Sequence, residues 1–132
     1  MIILEEKINK WKDKALGGKP LSVDDVHEIK LYYQSFTEEQ SADITNILKS
    51  EVEVKIKNYK YRTGLDPIIN PLEDIAPNDN RLEPYLRAWF LSEYLMRQEE
   101  IWKKFGKKEI DYNNVLESCV SEWNNLYSLI IS

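Results

Sequence analysis

Residues 37–64 read TEEQSADITNILKSEVEVKIKNYKYRTG, and two periodicities compete within them. Thr37 with Gln40 three residues on has the spacing of a capping box. Ile44, Ile47, Leu48, Val52, Ile56 and Tyr59 then recur at helical steps as far as Gly64, which suits a helix C-terminus. Glu51 to Lys57, however, alternates strictly as EVEVKIK, the period of a half-buried strand. The stripe begun at Ile44 passes through Val52 and Ile56 without a phase break, and no turn residues divide the stretch. The reading is therefore one long helix over 38–62, with a hairpin as its competitor.

The flanking sequence follows the same period. Leu4, Ile8, Trp11 and Ala15 mark a helix over 3–16 that Gly17 and Gly18 end. Ser22 caps a second helix over 23–36, with Asp24 and Asp25 in its first turn and Val26, Ile29, Tyr33 and Phe36 on its apolar side. Residues 64–80 hold three prolines among Ile and Leu, so they read as an ordered connector with a short turn at Pro71 to Ile75. A central helix over 81–105 carries apolar residues on more than one face and stops at Gly106. Asp111 caps a last helix, striped by Tyr112, Leu116, Cys119, Trp123, Leu126 and Ile130. The fold class expected is all-α: a compact bundle of about five helices with a proline-rich connector, in one domain over 1–132.

Composition narrows the function by exclusion. With 132 residues the chain is long enough to bury a core without metal or disulfide, and Cys119 has no second cysteine to join. The start MIILEEKINKWK has neither a basic leader nor an apolar run of signal length, and no stretch approaches the roughly 18 apolar residues of a membrane span. A cytoplasmic protein with no membrane attachment is expected.

His27 is the sole histidine, which removes two-histidine zinc sites and the paired Glu-x-x-His motifs of di-iron bundles. Asp24, His27 and Glu28 share one helical face, but a solvated first turn accounts for them better than a metal does. No glycine-rich phosphate loop or nucleophile elbow is present. Cys119 lies on an apolar stripe and reads as inert core. The adjacent pairs Glu5/Glu6, Glu38/Glu39 and Glu99/Glu100 point about 100° apart on a helix, so shared proton or metal chemistry is disfavoured. No metal, no cofactor and no enzymatic activity are expected.

Charge is segmented. The net charge is −5, and residues 21–46 and 63–80 are acidic while 47–62 and 81–108 are basic. Attraction between neighbouring helices explains part of this pattern. The run Lys55 to Arg62, interleaved with Tyr59 and Tyr61, is the only stretch suited to nucleic acid, a partner disfavoured in so acidic a chain. What remains is stoichiometric binding to a basic protein, as a small inhibitor, immunity or antitoxin-like protein, or an adaptor. The expected landing surface is Asp24, Asp25, Glu28, Tyr32, Glu38 and Glu39, with Asp66, Glu73, Asp74 and Asp79 in the connector. Tyr32, Tyr61 and Tyr127 lie off the stripes and suit contact roles. A self-associating structural or assembly subunit is the alternative, and a ligand-binding or enzymatic bundle the third. Oligomeric state is not fixed by sequence.

Overall fold

The structure, a computed structural model, describes residues 2–105 together with Glu117 and Ser121. All regular structure among them is helical: α1 (Ile2–Leu16), α2 (Val23–Tyr32), a 3-10 turn (Tyr33–Ser35), α3 (Glu38–Thr63), α4 (Leu82–Ser92) and α5 (Leu95–Phe105). Of the expected helix at 111–130 only Glu117 and Ser121 are described, both helical and exposed, while Cys119, Trp123 and Tyr127 lie outside the described residues, as does Gly106.

α3 is the axis. Ile44, Leu48, Val52, Ile56 and Tyr59 are buried along its length, while Val54 is 52% exposed. A strand would turn Val52, Val54 and Ile56 to one side, so the EVEVKIK alternation is incidental and the helical period decides. Thr37 accepts from the Gln40 N–H and Gln40 accepts from the Thr37 N–H, the reciprocal pair of a capping box. Gly64 ends the helix at φ 68°, a left-handed conformation that costs a residue with a Cβ, and its N–H reaches the Lys60 carbonyl.

Cross-element pairs fix the directions. Lys12 meets Asp43 and the Leu21 N–H meets Glu51, so α1 runs parallel to α3. Lys7 pairs with Glu28 and Lys14 with Asp25, so α2 runs back against α1. Trp89 meets Glu51 and Glu93, just past α4, meets Lys55, so α4 is again parallel to α3, and Glu99 of α5 meets Arg62 near the end of α3. Residues 64–81 therefore return along much of α3. Gln98, buried, holds that segment by both amide atoms: Oε1 accepts from the Ile69 N–H and Nε2 donates to the Ile69 carbonyl, each at 3.1 Å. Leu72 and Ile75 pack on the main core, and the Tyr85 hydroxyl donates to the Asp79 carbonyl.

Two helices differ from their sequence expectation. The helix expected over 23–36 stops at Tyr32 and tightens into the 3-10 turn, so Phe36 is extended and packs its ring 6.3 Å from Trp11. The helix expected over 81–105 breaks at Glu93 and Tyr94. The Ser92 hydroxyl donates to the Trp89 carbonyl, and the Glu93 and Tyr94 N–H groups bond three residues back, to Phe90 and Leu91. Such local bonding tightens and ends an α-helix without proline or glycine. Glu93 is meanwhile held by Lys55 of α3.

Candidate functional site

The ten residues expected to form a landing surface divide by environment. Ser22 and Asp25 close the capping box of α2: the Asp25 N–H donates to the Ser22 hydroxyl, and Asp25 accepts from the Ser22 N–H at 2.9 Å. Asp25 also takes the Lys14 ammonium and is only 4% exposed. Burial pushes its carboxyl up, but Lys14 and Ser22 outweigh that effect and hold it below the ordinary carboxylate range. Asp25 thus belongs to the interior rather than to a landing surface. The next turn of α2 carries Glu28, which pairs with Lys7 of α1.

In the return segment, Asp66 pairs with Lys60 across an exposed 3.1 Å contact. Asp79 accepts from the Arg81 side chain and backbone N–H, which hold its carboxyl at about 2. Glu73 and Asp74 are exposed beside the half-buried Leu72 and Ile75. Asp24 is exposed at the start of α2. Glu38 and Glu39 are exposed at the start of α3, where no ion pair among the described residues engages them.

Helix directions separate these carboxylates. Asp24 lies level with Glu51, half-way along α3, whereas Glu38 and Glu39 sit at its beginning and Asp66 beyond its end. One surface does not unite them. The start of α3 does have apolar company close in the chain, because α2 ends just before it with Leu31 and Tyr32 both exposed. Lys7 lies 5.8 Å from the Tyr32 ring centroid, so the aromatic part of that corner carries a cation, and the acids begin only at Glu38.

The densest polar cluster is one the sequence reading passed over. Glu51 accepts from the Leu21 N–H at 3.1 Å and from Trp89 Nε1 at 3.1 Å, and Lys55 stands 3.6 Å over the Trp89 ring. Burial raises the Glu51 carboxyl above its ordinary value, against the hydrogen bonds from Trp89 and Leu21. The cluster pins the α1–α2 loop, α3 and α4 together, which is a structural task. Its only sequence signal is a place beside the α3 stripe, one residue before Val52. Nearby, burial pushes the Tyr59 hydroxyl up to about 12.

Reactive groupings are sparse. His27 packs 5.5 Å from the Phe90 ring, and Lys7 occupies Glu28, so the Asp24, His27 and Glu28 face does not act as a unit. Among the described residues no three His, Cys, Asp or Glu side chains gather as for a metal ion. No described helix is long and apolar enough to cross a membrane. A groove on α1 lined by Glu6, Asn9, Lys10 and Asp13 is wide open. Comparison of the chain with protein-family models, with curated proteins and with solved structures finds no match.

Proposed function

We propose that the chain is a stoichiometric protein-binding module of the small inhibitor, immunity, antitoxin-like or adaptor kind, and not an enzyme, whose partner presents a basic surface. The observation that carries this reading is the corner where α2 gives way to α3. Glu38 and Glu39 are exposed there without ion pairs among the described residues, separated from the exposed Leu31 and Tyr32 by the 3-10 turn, Phe36 and the Thr37 cap. Unpaired acids on the same stretch of chain as an exposed aromatic side chain suit a contact in which charge steers the encounter and Tyr supplies area. Asp24, Glu73 and Asp74 add long-range field from other parts of the surface. Glu28, Asp66 and Asp79 are engaged by Lys7, Lys60 and Arg81 and contribute less.

The same reading takes residues 1–132 as one compact cytoplasmic bundle of about five helices, with 64–80 as its ordered connector. The test is affinity capture with wild type and with the Glu38→Gln/Glu39→Gln variant at low and high salt, followed by a binding titration of the captured protein. A basic partner is expected whose association rate falls with the variant and with salt, since exposed charges are screened within about 8 Å at physiological ionic strength. Equal association rates for both chains would overturn the reading.

A further inference from the structure

The outward face of α3 forms a stripe distinct from its buried one. Ala42, Asn46, Ser50, Val54, Lys57 and Tyr61 follow at steps of four or three, so they share one side of the helix, and all are exposed. Tyr61 is 90% exposed. Charge along the same helix is polar from end to end. Residues 38–48 hold three acids and no base, whereas residues 49–63 hold five bases and two acids. The helix dipole favours that order within one chain. The rest of the described fold leaves much of it unanswered, because Glu38, Glu39, Lys49, Glu53 and Lys57 enter no ion pair there.

We infer that this face pairs with the same face of a second copy of the chain, the two α3 helices lying antiparallel about a two-fold axis near residue 50. The inference rests on the reading that Glu38 and Glu39 take a basic protein partner, and it names that partner. A two-fold contact demands a patch complementary to itself. Antiparallel α3 helices meet the demand, since the acidic first half of each lies on the basic second half of the other; parallel helices would set like charges together. That register sets Glu38 and Glu39 level with Lys60, Tyr61 and Arg62 of the other copy, Lys57 against the small Ala42, and Val54 against Asn46.

The test is light scattering on the full-length chain over a concentration series at low and high salt. The mass is expected to rise from 15.7 kDa towards twice that value with increasing concentration, less readily in high salt. Two charge-reversed variants, Glu38→Lys/Glu39→Lys and Lys57→Glu/Lys60→Glu, should each weaken self-association by roughly tenfold or more while keeping the helical circular dichroism of wild type. Mixing the two should restore a heterodimer, because each reversed half then meets its opposite. Tyr61→Ser, which removes a side chain exposed in the single chain, should weaken the dimer without altering monomer unfolding. A chain monomeric at every concentration, a dimer indifferent to both reversals, or a mixture without heterodimer would each overturn the inference. A monomer that still captures another basic protein through Glu38 and Glu39 overturns it too, and leaves the binding-module reading standing.

Discussion

α2 and α3 begin with the same capping pattern and put their acids to different uses. Each opens with a hydroxyl residue at the cap and a capping box three residues on, SVDD at Ser22 and TEEQ at Thr37. In α2 the residue that closes the box is itself an acid, Asp25, so the carboxylate is drawn inward to the Ser22 N–H and to Lys14. In α3 the box is closed by the neutral Gln40, and the acids occupy the two positions before it, facing water. A shift of one position decides whether a first-turn acid is structural or available to a partner. A count of charge per segment treats the two pairs alike and misses this distinction.

Breaking the inward case should have the largest effect. Asp25→Ala strands a mostly buried ammonium and an N–H together, and a cost of about 2 to 3 kcal/mol in urea unfolding is expected, below the figure for fully buried pairs because Lys14 keeps some solvent contact. A loss under about 1 kcal/mol would return Asp25 to the surface class.

Acid titration sharpens the contrast further. The folded-state value of Asp25 is lowered, so its contribution is in place above the ordinary carboxylate range and is lost as pH falls through that lowered value. Glu51 is raised, so its contribution is fully present in acid and is lost as pH rises through its raised value. The two oppose each other between neutral and acid pH. Asp25→Asn should therefore flatten the acid-side loss of stability, and Glu51→Gln should steepen it. Parallel profiles for wild type and both variants would refute the assignment.

The caps come next. Thr37→Ala should cost about 1 kcal/mol, since one first-turn N–H loses its acceptor. Glu38→Gln with Glu39→Gln should change stability least, by a few tenths of a kcal/mol from the weakened dipole interaction, while altering association most. A stability loss approaching that of Asp25→Ala would mean that Glu38 and Glu39 hold the fold together.

The helical period was legible along α3 because burial repeats with it from Ile44 to Tyr59, and a competing alternation seven residues long did not displace it. The break after Ser92 was not legible, since it arises from a side-chain hydroxyl bonding its own helix and from Lys55 holding Glu93 across to α3. Gln98 gave no signal either: its role is to meet both polar groups of Ile69, and that contact spans 29 residues. Of the landing surface, the exposure of Glu38 and Glu39 followed from their place before the box residue, whereas the engagement of Glu28 by Lys7 required knowing that α1 and α2 run in opposite directions.

By itself the sequence determined the local choices: helix against strand in 37–64, the caps at Ser22 and Thr37, and the stop at Gly64. Each is settled by side chains within a few residues of one another, where covalent geometry fixes which groups can meet. Tertiary structure alone decided which polar residues are spent inside the fold. Glu51 finds the Leu21 N–H and the Trp89 indole only once α3, α4 and the α1–α2 loop are packed together. Burial favours such pairing, because removing a polar group from water costs free energy unless it finds a partner, and the nearest one is seldom its neighbour in sequence.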